Sequence, residues 1–172
     1  MKKLLCLIVC FFTASVNANL VTNGDFSTGD ISGWSLSGGE FSEVETGFFR
    51  EFDNSGWAIL HQDIITASGQ SYDISFDTYA DVITGNEFAW AIDGVLHYID
   101  TTTSWVTNLG SFIGAGGTTN IAFYMATDPG TGTWRLDNIS VTTAASVTEP
   151  RTFVLLGLGL AGLGFSRRQK ST

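Results

Sequence analysis

The run Gln70-Ser71-Tyr72-Asp73-Ile74-Ser75-Phe76-Asp77-Thr78-Tyr79 decides the fold class, because Tyr72, Ile74 and Phe76 alternate with Ser71, Asp73, Ser75 and Asp77. Successive side chains of a strand point to opposite faces, so this pattern predicts a strand with one face in a core and one in water. The same period returns in Glu87–Ile92, where Phe88, Trp90 and Ile92 share a face, and in Asn120–Met125, where Ile121, Phe123 and Met125 do. Half-buried strands of this kind make antiparallel sheets. Asp93-Gly94 separates Phe88–Ile92 from Val95–Ile99. An Asp-Gly pair between two apolar runs signals a two-residue hairpin.

Working outward, further strands are expected at Gly39–Glu45, Phe48–Phe52, Trp57–Asp63, Val106–Phe112 and Thr133–Val141. In the last, the apolar phase changes between Leu136 and Ile139, which predicts a bulge near Asp137-Asn138. The region is rich in Gly, Thr, Ser and aromatics, has few helix formers and holds one proline, Pro129. Strands of this number and spacing predict an all-β domain, an antiparallel β-sandwich, over residues 19–143.

The two ends read differently. Lys2 and Lys3 precede an apolar run from Leu4 to Phe12, which ends in the small-x-small triplet Val16-Asn17-Ala18. That is the order of a secretory signal peptide over residues 1–18, with cleavage expected between Ala18 and Asn19. The apolar run is shorter than the roughly 20 residues a membrane span needs. Cys6 and Cys10 both fall inside it, so the mature chain would hold no disulfide, thiol nucleophile or Cys-ligated metal. At the other end, a short polar linker, residues 144–148, leads to Glu149-Pro150, an apolar run from Phe153 to Phe165 and the basic cluster Arg167, Arg168 and Lys170. Four glycines in that run disfavour a soluble helix, at about 1 kcal/mol each, and suit a membrane helix better. A single C-terminal membrane helix with its basic end on the cytoplasmic side places the domain outside.

Charge narrows the partners. Sixteen of the 17 acidic residues lie in 19–147, against two arginines, Arg50 and Arg135, a formal charge of −14. Phosphate contact needs basic surface, so nucleic acid is excluded and anionic membrane surfaces are disfavoured. Divalent cations and neutral polymers remain, and so does the plain reading of acidity as solubility.

The tail resembles the PEP-CTERM sorting signal of Gram-negative bacteria over residues 147–172, through Glu149, Pro150, the LLGLGLAGLGF run and Arg167-Arg168. It departs from that pattern at Thr148, where the family has its first proline. The resemblance implies recognition and processing by an exosortase-like membrane enzyme, transient anchoring by the C-terminal helix, and delivery to the cell surface or extracellular matrix. Such systems accompany exopolysaccharide production.

A second resemblance covers most of the middle. NLVTNGDFSTGDISGWSLSGG at Asn19–Gly39 is similar to the opening of galactose-binding-like jelly rolls, which include carbohydrate-binding modules. WRLDNISVT at Trp134–Thr142 is similar to their closing strand, and LHQDIITASGQSYDISFDTYA to their middle. The resemblance implies a structural calcium held by the first and last strands, with Asp25 and Asp137 at the matching positions and Asp30 and Glu40 nearby. The alternative is that Asp25 belongs to a turn and Asp137 marks a bulge.

Five tryptophans, Trp34, Trp57, Trp90, Trp105 and Trp134, lie in the domain. Indole faces stack on sugar rings while Asp, Asn and Gln bond the hydroxyls. Trp34 and Trp134 belong to the resemblance's own signature and Trp90 to an apolar strand face, so these three are expected in the core. Trp57 and Trp105 follow polar, turn-like stretches and are the candidate platforms, with Tyr79 and Tyr98. His61 and His97, the only histidines, sit in no metal spacing, and no Gly-x-Ser-x-Gly elbow occurs. The sequence thus points to a surface-sorted polysaccharide-binding module. A structural or adhesive surface protein is the alternative, and a small glycan-active enzyme a third.

Overall fold

A computed structural model describes residues 18–39, 41–45, 47–52, 56–127 and 132–145. Ten strands run β1 Ser35–Ser37, β2 Ser42–Glu45, β3 Phe48–Phe52, β4 Ala58–Thr66, β5 Ser71–Ala80, β6 Glu87–Ile92, β7 Val95–Ile99, β8 Val106–Ile113, β9 Gly117–Ala126 and β10 Thr133–Thr143. They form two five-stranded sheets, ordered β1-β4-β9-β6-β7 (the first sheet) and β2-β3-β10-β5-β8 (the second), with every pairing antiparallel. The sandwich is the one the alternation predicts. The expected strand at Gly39–Glu45 begins only at Ser42, because Gly39 has a positive φ of 67°. The expected Trp57–Asp63 strand starts at Ala58 and continues to Thr66. β1, three residues long, carries too short a pattern to show a period. The signal peptide before Ala18 and the expected C-terminal membrane helix lie outside the described residues.

The core is aromatic and crosses between the sheets. Phe76 of β5 lies 5.0 Å from Phe123 of β9, 6.0 Å from Phe88 and 6.1 Å from Trp90 of β6. Trp134 of β10 meets Phe88 at 5.1 Å. Trp34, Trp90 and Trp134 are all buried, as their places in the sequence imply. Aromatic pairs contribute about 0.5–1.5 kcal/mol each beyond their buried area. One charged side chain, Glu51 of β3, also faces inward, with Thr127 Oγ1 donating to it at 3.3 Å.

Asp93 and Gly94 have φ of 47° and 80°, the two left-handed residues of a type I′ turn, and they join Ile92 to its partner Val95. The bulge in β10 is also where the phase change put it. Register with β5 shifts between Asp137 and Ser140, and Asn138 has φ 51°. The shift keeps Trp134 and Leu136 inward before it and Ile139 and Val141 inward after it.

The opening segment is clamped onto this bulge. Ile139 N donates to Gly24 O at 2.8 Å, and Leu20 N to Val141 O at 2.8 Å. The Asn19 amide accepts from Val141 N at 2.9 Å and from Val21 N at 3.1 Å. Buried Gln62 of β4 holds the same segment from the other sheet. Its Oε1 accepts from Thr22 N at 2.8 Å, while its Nε2 donates to Thr22 O at 3.0 Å and Gly33 O at 2.9 Å. Phe26 and Trp34 are thereby set into the core at 6.1 Å from each other.

Gly24 is glycine for lack of space. A Cβ there would stand 2.0 Å from the Ile139 carbonyl oxygen, which is backbone and cannot turn aside. Gly24→Ala is expected to lower unfolding free energy by about 3 kcal/mol. Gly29→Ala, with φ +77° but open space around it, should cost about 1 kcal/mol. Urea denaturation of both variants checks the order, and equal losses would count against the clamp.

Candidate functional site

The alternation that fills the core also fixes what each sheet shows to solvent. On the outer face of the first sheet, Ile59, Tyr124, Ala89 and Tyr98 lie in one cross-strand row. His61, Ala122, Ala91 and Leu96 form the next. Asp63 and Asn120 pair in the row after that. The two middle strands therefore carry methyl groups at Ala89, Ala91 and Ala122, and these are buried although they point outward. Larger neighbours close over them. Tyr98 is 66% exposed. It stands one strand beyond Ala89 from Tyr124, about 9–10 Å apart in strand spacing. Trp57, half-buried just before β4, meets Tyr124 edge-on at 6.2 Å.

Polar groups gather along the same face. Asn120 Nδ2 donates to Asp63 Oδ1 at 2.7 Å and lies 3.4 Å from His61 Nδ1. Asn120 N donates to Asp93 Oδ1 at 2.8 Å, which ties the hairpin turn to β9. The face thus combines aromatic edges with an Asn-His-Asp group that gives and accepts hydrogen bonds.

The structure separates the four aromatic candidates into two pairs. Trp57 and Tyr98 share the first sheet's outer face. Trp105 and Tyr79 meet at 5.7 Å on the outer face of the second. Trp105, 47% exposed, also touches Phe48 at 6.1 Å. Tyr124, Phe48 and Arg135 were missed as neighbours. Tyr124 had a legible signal, since it sits out of phase with Ile121, Phe123 and Met125 in its own strand.

At the clamp, Asp25 is exposed and held below the usual carboxylate range by hydrogen bonds from the Ser27 side chain and backbone. Asp30 is lowered likewise by Ser32 and Thr28. Asp137 is raised instead, first by burial and then by the charges of Asp77 and Asp25, with the Asn138 backbone N–H partly opposing. Asp25 and Asp137 therefore feel each other. Among the described residues, no group of three or more His, Cys, Asp or Glu side chains converges as metal ligands. Calcium takes six to eight oxygens, so an ion here would draw mostly on carbonyls and water beside these two carboxylates. Glu40 lies outside the described residues, as do Thr148, Glu149, Pro150, Arg167 and Arg168.

No curated protein matches the chain by sequence. Many solved structures share the sandwich, three of them as follows. The carbohydrate-binding module TmCBM61, in complex with β-1,4-galactotriose, has TM-score 0.59 at 17% identity, covering 74% of this chain and 99% of its own. A CBM4 structure has 0.55 at 18%, covering 72% and 99%. The CBM22-1 xylan-binding domain of Paenibacillus barcinonensis Xyn10C has 0.51 at 14%, covering 78% and 100%. Residues 146–168 match the PEP-CTERM protein-sorting motif, which marks an exported, envelope-associated protein. The chain therefore joins a jelly-roll β-sandwich with the fold of carbohydrate-binding modules to a C-terminal PEP-CTERM sorting motif.

Proposed function

We propose that this protein is a non-catalytic module that binds a neutral polysaccharide on the outer face of its first sheet. Its tail delivers it to the cell surface or matrix through an exosortase-like enzyme, after the signal peptide is removed at Ala18-Asn19. The observation that carries the reading is the Tyr98-Ala89-Tyr124-Ile59 row with Trp57 edge-on to Tyr124. The covered alanines keep the row low between its rings, so a sugar ring would rest against exposed Tyr98, with His61, Asn120 and Asp63 in reach of its hydroxyls. The sandwich supports the reading by its likeness to modules named for galactotriose and xylan. The formal charge of −14 favours an uncharged chain over a polyanion. Two carboxylates on this face hold amides, Asp63 that of the Asn120 side chain and Asp93 that of its backbone. That is positioning chemistry, and it supports binding over hydrolysis.

The structural or adhesive alternative has one observation of its own. β7 and β8 are the outer strands on one side of both sheets, carry no Asp, Glu, Lys or Arg, and expose Val95, Leu109 and Ile113. Bare apolar edges invite pairing with another chain. Under that reading the protein self-associates and ignores sugars.

Binding to β-1,4-galactan, xylan and the extracellular polysaccharide of the producing cells decides between the two. Saturable binding is expected, weakened roughly tenfold in Trp57→Ala and in Tyr98→Ala. No saturable binding, with concentration-dependent dimerisation in sedimentation, would favour the adhesive reading.

Calcium at Asp25 and Asp137 is part of the proposal as a structural ion. Because the folded-state pKa of Asp137 lies above its unfolded value, its ionised form opposes folding at neutral pH. That penalty fades as pH falls through the folded value. In chelator, Asp137→Asn should therefore melt higher than the parent at pH 7, with the gap closing toward pH 3. In millimolar calcium the order should reverse. Thermal melts under the two conditions check both signs, and an unchanged order in calcium would remove the ion from this site.

A further inference from the structure

The second sheet's outer face holds an aromatic surface that the first-face reading does not use. Arg135 of β10 lies opposite Arg50 of β3 on one side and Tyr79 of β5 on the other. Its guanidinium sits 4.6 Å over the Tyr79 ring and 5.6 Å over Phe48. Asp81 holds it at 3.0 Å. Trp105, just before β8, reaches back across the sheet to touch both Tyr79 and Phe48, which flank Arg135. Two contacts on rings from different strands fix the indole while leaving it 47% exposed. Its rotamer freedom is already lost on folding, so stacking a ligand on it costs little further order.

Two residues along the strands, the same face turns polar. Asp137 lies opposite Asp77, and Asp77 opposite Thr107. Asp77 accepts from Thr107 Oγ1 at 2.6 Å and from Asn138 Nδ2 at 2.9 Å. A carboxylate offers about four acceptor positions, so Asp77 keeps capacity for hydroxyl donors. A fixed indole beside hydroxyl-bonding side chains is the chemistry of sugar recognition.

Charge says which sugar. Arg50 and Arg135 are the only Lys or Arg residues of the domain, and both are on this face. Neither is open to an anion, since Glu43 and Glu45 hold Arg50 at 3.1 and 3.4 Å and Asp81 holds Arg135. With Asp77 and Asp137 alongside, a polyanion would be repelled. Packed sheets lie about 10 Å apart, so the whole double layer separates this face from the one bearing Trp57. One saccharide ring cannot touch both.

We propose that Trp105 and Tyr79, with Asp77, Thr107 and Asn138, form a second neutral-glycan site, back to back with the first, so that one domain joins two polysaccharide chains. The proposal rests on the reading of the domain as a glycan-binding module, but its site shares no residue with the first.

The test is 19F NMR of the full chain in detergent, labelled with 5-fluorotryptophan, titrated with β-1,4-galactotriose and with xylotriose. Trp57→Phe and Trp105→Phe variants assign the two resonances. Both are expected to shift with a given sugar, and the Trp105 shift should persist in Trp57→Ala/Tyr98→Ala. In Tyr79→Ala, the sugar concentration that half-saturates the Trp105 shift should rise at least tenfold. A moving Trp57 with a still Trp105 overturns the second site and leaves the first standing. A moving Trp105 with a still Trp57 keeps this site and overturns the first. If neither moves with either sugar, both fall.

Discussion

The bulge in β10 and the glycine seated against it hold the molecule in register. β10 lies at the centre of the second sheet, between β3 and β5. Without the extra residue at Asp137-Asn138, a strict period of two would turn Ile139 and Val141 to solvent while Trp134 and Leu136 stayed inside. With it, one eleven-residue strand buries both halves. The Gly24 backbone docks on the bulge through Ile139, and Asn19 and Leu20 bind the strand just beyond. The first residues of the domain and the last strand thus fix each other, and Gln62 extends the clamp to the opposite sheet. A sandwich without cysteine in its described residues is closed here by backbone contact and aromatic packing.

That closure has consequences on both outer faces. The bulge turns Asn138 toward Asp77 and leaves Asp137 beside it, which supplies the polar half of the second face. On the first sheet, strict alternation in β9 puts Phe123 in the core against Phe76 and Trp34 and sends its neighbour Tyr124 outward to Trp57. The outward ring is therefore placed by a backbone that the inward ring anchors. Platform and core are two sides of one strand, so the surface inherits the rigidity of the interior.

Much of this was legible because it depends on period and on turn chemistry. Tyr72-Ile74-Phe76, the Asp93-Gly94 turn and the phase slip after Leu136 are local signals, and each appears where the residues put it. The burial of Trp90 follows from the same alternation, and that of Trp34 and Trp134 agrees with their place in the jelly-roll resemblance. The pairing of surface residues was not legible, because it depends on strand order. Trp57, Trp105, Tyr79 and Tyr98 look equivalent along the chain. Only the placement of β4 and β7 in one sheet and β5 and β8 in the other divides them into two faces. Glu51 was unreadable for a related reason: its strand, Phe-Phe-Arg-Glu-Phe, offers aromatics at both parities, so sequence could not say which parity faced in.

The distribution of charge follows from where the aromatics went. Cation–π contacts fix both guanidiniums to rings, Arg50 over Phe52 at 4.7 Å and Arg135 over Tyr79. An arginine so placed is held by its stem and plane as much as by its ion pair. With the arginines neutralised in situ by Glu43, Glu45 and Asp81, the remaining carboxylates make the domain's exterior uniformly repulsive to polyanions and to other copies approaching by their charged surfaces. Besides cations, what such an exterior leaves attractive is uncharged: aromatic faces with hydroxyl-bonding neighbours, and strand edges without charge. Repulsion of polyanions acts at longer range than any stacked ring, so it would narrow which chains reach these faces before contact selects among them.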